Sequence, residues 1–257
     1  RAIGIVMSGL LIGILGSRSV SGYVGEYLGW RNMYFIASGI MLVYAIVLVF
    51  QLPSLSSDFK GSYSKLMQSL WTYFKSESSV RLAAVRGGLG FAGFSAFWTT
   101  LVFLMEDNFN YGSGITGLFG ILGIAGALAA TWAGKLSDKM NKNRLITIAT
   151  LVMILAWGVF EFSGESIVGL VIGVVFIDMG LQSLHITNQN IIFSKNPEAR
   201  NRINTIYMVG YFIGGALVTT TGAYAWQWFQ WEGVASLGLI YTILILLVHL
   251  IFKQKNG

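Results

Sequence analysis

The sequence predicts an all-α fold, a polytopic bundle of transmembrane helices with eight spans. Three observations carry this. Apolar residues fill 54% of the 257 positions and only 11% are Asp, Glu, Lys or Arg, against about a quarter in a soluble domain. Eight stretches approach the roughly 20 mainly apolar residues that cross a ~30 Å hydrocarbon core. The basic residues gather in alternate gaps between those stretches, a pattern of membrane topology rather than of a phosphate-binding face. The net charge of +6 therefore implies no nucleic-acid partner. Long unbroken apolar runs also argue against a β-barrel, whose strands alternate over about ten residues.

In chain order the spans are Ala2–Val24, Met33–Leu52, Leu82–Met105, Gly112–Ala133, Leu145–Phe160, Ile167–Ile186, Ile203–Tyr224 and Val234–Phe252, spans A to H. With Arg1 in the cytoplasm and the sides alternating, cytoplasmic segments hold Arg1, Lys60, Lys65, Lys75, Arg81, Arg86, Lys135, Lys139, Lys142, Arg144, Lys195, Arg200, Arg202, Lys253 and Lys255. Arg31 alone lies outside, and Arg18 falls within span A. By the positive-inside rule, this puts Arg1, the 53–80 segment and the C-terminus on the cytoplasmic side of a cell (inner) membrane. The 53–80 segment is polar and Ser-rich. Its Tyr63, Leu66, Met67, Leu70, Trp71 and Phe74 recur at helical spacing, so part of it is expected to lie on the membrane as an amphipathic helix. It separates residues 1–52, two helices of an N-terminal bundle, from residues 81–257, a C-terminal six-helix bundle.

An internal repeat sets a larger frame. Shifted by 201 residues, RAIGIVMSGLLIG from Arg1 aligns with RINTIYMVGYFIG from Arg202, and Tyr23 and Trp30 match Tyr224 and Trp231. In the second copy span G follows four spans and precedes one. Span A is then expected to follow four helices of its own, so the chain begins near the fifth helix of a protein built from two parallel six-helix repeats. Arg1 leads straight into apolar sequence without a signal-peptide pattern.

Between spans D and E lies GKLSDKMNKNR, Gly134 to Arg144. Gly134 lets a helix end approach its neighbour, Asp138 can cap or pair with basic residues, and Lys139, Lys142 and Arg144 hold the loop inside. Asn141 tolerates a left-handed turn. A generic basic loop reads the same way. With the six-plus-six plan, this segment resembles the loop signature of the major facilitator superfamily, in which a Gly stands where Asn141 does. Span A's SGLLIGILGSRSVSG, Ser8 to Gly22, resembles the glycine-rich fifth helix of drug:proton antiporters in that superfamily. It departs from them at Ile14, where a Pro is usual, and at Ser17–Arg18, where two Gly are usual. Its Gly9 and Gly13 form a small-xxx-small face suited to close helix packing. DMGLQSLHITNQ and PEARNRINTIYM, between Asp178 and Met208, are similar to bacterial sugar and drug exporters. The resemblance covers essentially the whole chain and implies alternating access between two six-helix halves.

Span F holds the most informative side chains. Asp178, Gln182, His185 and Gln189 fall at i, i+4, i+7 and i+11, one helical face. Asp178 lies near the bilayer midplane, where a carboxylate costs roughly 2.5 kcal/mol or more on insertion scales. It should face protein or water, either as a proton-binding group or as a structural Asp bonded to neighbouring helices. His185 is a candidate proton relay or a surface histidine, and His249 is expected at the interface. Arg18 can hold an anionic substrate group, pair with an acid, or snorkel outward. Phe94 and Trp98 on span C, and Tyr207 and Tyr211 on span G, suit an apolar or ring-stacking solute or simple core packing. Asn188 and Gln189 can bind substrate or lock helices together.

No metalloprotease, nucleophile-elbow, P-loop or dinucleotide signature occurs, and no cysteine is present to form a disulfide, a thiolate or a cysteine metal site. No enzyme activity, cofactor or metal is expected, and ATP-driven pumping by this chain is excluded. The expected function is secondary transport of a small organic solute, proton-coupled efflux first, with a facilitator or proton symporter as the alternative. A membrane enzyme or a non-transporting membrane component stands further off. The expected partners are the solute, protons, the lipid bilayer and the four preceding helices.

Overall fold

Apolar runs of this length leave a backbone only one way to satisfy its hydrogen bonds in lipid, within each segment. A computed structural model, which describes residues 2–53, 62–195 and 199–252, makes all eight stretches helical, span D in pieces, and contains no strand among those residues. The helices are α1 (Ala2–Leu28), α2 (Trp30–Gln51), α3 (Tyr63–Ser76), α4 (Ser78–Phe109), α5 (Ser113–Leu118), α6 (Gly123–Lys139), α7 (Lys142–Glu161), α8 (Ile167–Lys195) and α9 (Arg200–Phe252). Among them α2, α4, residues 113–139, α7, α8 and α9 are long and apolar enough to cross a membrane. α1 is 27 residues long. α3 is the amphipathic helix expected within residues 53–80.

The helix ends differ from the hydropathy boundaries for local reasons. Span E is longer than expected because the Asn141 side chain accepts from the amides of Asn143 and Arg144 at 2.9 and 3.3 Å, so the charged residues after it are helical. Asn141 therefore acts as an N-cap with φ −60 rather than as a left-handed turn. Span C continues to Phe109 and stops at Asn110, whose φ of 55 is left-handed. Span D is not one continuous helix. A 3-10 turn, Phe119–Leu122, breaks it in a segment where Gly117, Gly120 and Gly123 weaken the helix. Spans G and H are both in α9, reversed at Gln230 (φ 52, ψ −144). The Thr221 hydroxyl lies 3.4 Å from that of Tyr241, so the two halves of α9 run antiparallel. Trp231 anchors the reversal by donating its indole N–H to the Phe160 carbonyl at 2.7 Å.

The chain forms two compact units, residues 1–67 with 111–121, and residues 68–110 with 122–257. In the second, α4 lies against both halves of α9. Gly88 and Gly214 meet backbone to backbone, and a Cβ on Gly214 would strike the Gly88 carbonyl. Small residues permit this approach where lipid supplies no hydrophobic drive. Phe97, Trp157, Phe160 and Trp231 fill the core at one end, with Phe97 and Phe160 stacked at 4.6 Å. In the first unit, α1 packs against α5, while α2 buries none of its residues.

Candidate functional site

Asp178 is the twelfth residue of α8 and only 4% exposed. Gly126 of α6 makes room for it: a Cβ there would lie 3.0 Å from the Asp178 Cβ and 3.2 Å from the Gln182 Cγ. Asp178 and Gln182 thus face α6. Further along α8, His185 turns to α9, its Nδ1 joined to the Tyr207 hydroxyl at 2.8 Å and its ring edge-on to Tyr211 at 5.0 Å. Asn188 is fully buried, and its amide makes no hydrogen bond to the described residues by distance and angle. Gln189 donates to Asn204 at 3.3 Å, a bond that ties helices together.

Four of the aromatic candidates stand in one array. Tyr207 and Tyr211 are 6.0 Å apart, Tyr211 stacks on Phe91 at 4.2 Å, Phe91 on Phe94 at 6.1 Å, and Phe94 meets Trp98 at 6.0 Å. The array runs along α4 from the polar cluster at His185 toward the Phe97 core. Its rings present π faces and edges over a long path, with one hydrogen-bonding end.

Counting charges by segment misplaces Arg86. It lies two turns inside α4, is 1% exposed, and donates through Nη1 to His249 Nδ1 at 3.0 Å. His249 is fully buried within the protein, and its Nε2–H donates to the Asn143 carbonyl at 3.0 Å. The pairing fixes the tautomer, because Nδ1 must accept. Arg86 Nε has no hydrogen-bond partner among the described residues. A lone Arg and a lone His inside apolar helices each demand a partner, and that demand is the signal that pairs them.

The other candidates each have their own surroundings. Arg18 is in the first unit, its side chain laid over Gly120, with Cβ 2.8 Å from the position of a Gly120 Cβ. Around it, Ser113 donates to the Gly22 carbonyl at 2.9 Å, Ser19 to that of Gly117 at 3.3 Å, and the Gly114 amide to Glu26 Oε2 at 2.6 Å. Gly13 is exposed with nothing within 4 Å of its Cβ position, and the surroundings of Gly9 lie outside the described residues. In the loop motif, Gly134 meets only Ile186, at an ordinary 3.8 Å, so no tight approach requires it. Lys142 reaches the Asn190 carbonyl and Ser194 hydroxyl, each at 3.3 Å, and Asn190 bonds Ser137. Asp138, Lys139 and Arg144 are exposed. Among the described residues, no cluster of His, Cys, Asp and Glu could hold a metal ion.

The sequence profile of the Major Facilitator Superfamily matches residues 1–219. The chain is 40% identical over 249 residues to the uncharacterized transporter YgaY of Escherichia coli O157:H7, covering 96% of this chain and 63% of the relative. It is 26% identical over 246 residues to a transporter of Streptomyces coelicolor (95% and 57%). With the uncharacterized MFS-type transporter YybF of Bacillus subtilis it shares 22% identity over 253 residues (97% and 61%). The chain spans about 60% of the length of these relatives.

Proposed function

The chain belongs to the Major Facilitator Superfamily, and from that membership we propose that it is the larger part of a secondary transporter that exports a small organic solute in exchange for protons. Two six-helix halves would rock about a midplane site. The observation that carries the coupling is Asp178, a carboxyl buried at mid-helix beside Gly126, one turn from Gln182 and two turns from His185, which is joined to Tyr207. The aromatic array from Tyr207 to Trp98 suits a solute with an apolar or ring-bearing face. Export follows from the likeness of residues 178–208 to sugar and drug exporters.

Four helices preceding Arg1 belong to this proposal. Gly214 is closed against Gly88, while its repeat mate Gly13 is open and α2 buries nothing. Such faces suit partners from an N-terminal half. The α1–α5 seam, built from three side-chain-to-backbone bonds and glycine contacts rather than from an apolar anchor, suits a contact that parts and re-forms between halves. Fourteen basic residues in the 53–80 segment, the other inner gaps and the termini, with Arg86 set aside, support the cytoplasmic assignment of those segments.

The test uses proteoliposomes of the full-length protein, a pH dye and a panel of sugars and cationic dyes. Solute-dependent proton movement opposite to the solute is expected, and Asp178→Asn should abolish it while leaving solute exchange at equal pH. Gradient-driven transport unaffected by Asp178→Asn removes the proton role. Co-movement of solute and proton makes the protein a symporter instead.

A further inference from the structure

Two apolar grooves meet at Arg81. One, of about 390 Å³, runs between Leu82 and Val85 of α4 and Val248 and Phe252 of α9. The other, of about 430 Å³, runs from Phe74 past Val85 and Leu89 to Ala92, walled by Ile213 and Leu217 of the other half of α9. Arg81 and Val85 line both. Val85, 47% exposed, is the ridge between them. The result is a forked furrow with one basic head.

Its length matches one leaflet. Arg81 and Ala92 are eleven residues apart on α4, about 16 Å at 1.5 Å per residue, or half of a ~30 Å hydrocarbon core. Its head is held in place. Arg81 Nη1 donates to the Phe74 carbonyl at 2.7 Å and to that of Lys75, the last turn of α3, so one nitrogen is fixed and the rest of the guanidinium edge remains at the groove mouth. Nearby, Lys75 lies 5.0 Å from the centre of the exposed Trp71 ring, which stacks on Phe74 at 5.6 Å. An amphipathic indole beside a lysine is the composition of a headgroup-level belt. Glu77 is the one acid between Asp58 and Glu106, against Lys75 and Arg81 beside it. The mouth is therefore cationic.

We propose that this furrow binds an acidic diacyl phospholipid, its phosphate on Arg81 and its two acyl chains in the two grooves. A planar guanidinium matches phosphate oxygens, and basic pockets between membrane helices favour anionic headgroups. The fork at Val85 fits a two-tailed molecule. The inference rests on the membrane placement of these helices and is independent of the direction or coupling of transport.

Native mass spectrometry of the purified chain, titrated with phosphatidylglycerol and phosphatidylcholine of matched chains, tests it. Each basic residue at a membrane surface contributes about a five-fold preference for anionic lipid. The chain should bind phosphatidylglycerol at least five-fold more tightly. Arg81→Gln should lower that preference about five-fold, and Arg81→Lys should keep most of it. Val85→Trp, on an exposed position, should block the fork and remove selective binding with Arg81 intact. This variant and Arg81→Lys carry the test if Arg81→Gln does not fold. Equal binding of the two lipids overturns the proposal, as does selective binding that survives Val85→Trp. Displacement of the lipid by glycerol 1-phosphate alone also overturns it, because the site would then recognise a free phosphate ester.

Discussion

Removing either member of the Arg86–His249 pair strands the other, and the two losses differ in size. In His249→Leu the guanidinium keeps its charge in a position 1% exposed, loses the bond to Nδ1, and already has Nε without a partner. Leaving a buried charge without its partner costs about 3–5 kcal/mol, and we expect about 3 because the neutral imidazole supplied only a dipole. In Arg86→Met the chain volume stays and the charge disappears. What remains is an imidazole acceptor without a donor, a loss of about 1–3 kcal/mol. The double variant replaces both polar partners with apolar groups, which is nearly neutral when the shape is kept. It should therefore lose no more than the smaller single loss, which leaves it at least about 3 kcal/mol more stable than the sum of the two, at the upper end of the 0.5–3 kcal/mol by which contacting residues couple. Reversible unfolding in mixed micelles, followed by tryptophan fluorescence, measures all four proteins. Additivity within about 0.5 kcal/mol, or a larger loss from Arg86→Met than from His249→Leu, would refute this account of the pair.

Two further predictions follow from the helix contacts. Gly214→Ala drives a methyl into the Gly88 carbonyl, which as backbone cannot swing away, and should destabilise the protein by about 1–3 kcal/mol. Gly13→Ala in the 257-residue chain, with nothing within 4 Å, should be neutral or gain up to about 1 kcal/mol in helix propensity; thermal unfolding of that chain in detergent compares the two, and equal losses would sink the contrast. Glu26→Ala removes the acceptor of the Gly114 amide. Because Glu26 is exposed, about 1 kcal/mol is expected, seen as a roughly five-fold faster hydrogen exchange at Gly114. Unchanged exchange there would show that the seam holds without it.

The helices were legible because crossing a membrane demands length and apolarity together, and both are properties of a single segment. Their ends were less so. Lys142, Asn143 and Arg144 read as loop by hydropathy and are helical because the Asn141 side chain accepts from the orphan amides of Asn143 and Arg144. The reversal at Gln230 was expected as a loop of several residues between spans G and H. One residue suffices, because Trp231 is pinned to Phe160 and Thr221 stands opposite Tyr241. Each of these depends on a hydrogen bond between segments distant in sequence or on a side chain turning back on its own helix. Composition averages over both.

The polar face of α8 shows where periodicity stops. Positions 178, 182, 185 and 189 do share one face, as their spacing requires, yet that face meets two different neighbours. Asp178 and Gln182 lie against Gly126 of α6, whereas His185 lies against Tyr207 and Tyr211 of α9. A helical wheel gives the direction of a side chain but not the helix that stands there. The choice of neighbour is made by small residues on the partners: Gly126 has no side chain to exclude the Asp178 carboxyl, and Gly87 leaves room for Tyr207, whose ring lies 2.8 Å from the position of a Gly87 Cβ. Glycines on the partner helices thus decide which of the polar groups on α8 become neighbours of the aromatic array. The same logic extends to Arg86, one residue before Gly87. The glycine that admits Tyr207 beside α4 is the neighbour of Arg86 in the chain, and so α4 links the pair at His249 to the cluster at His185.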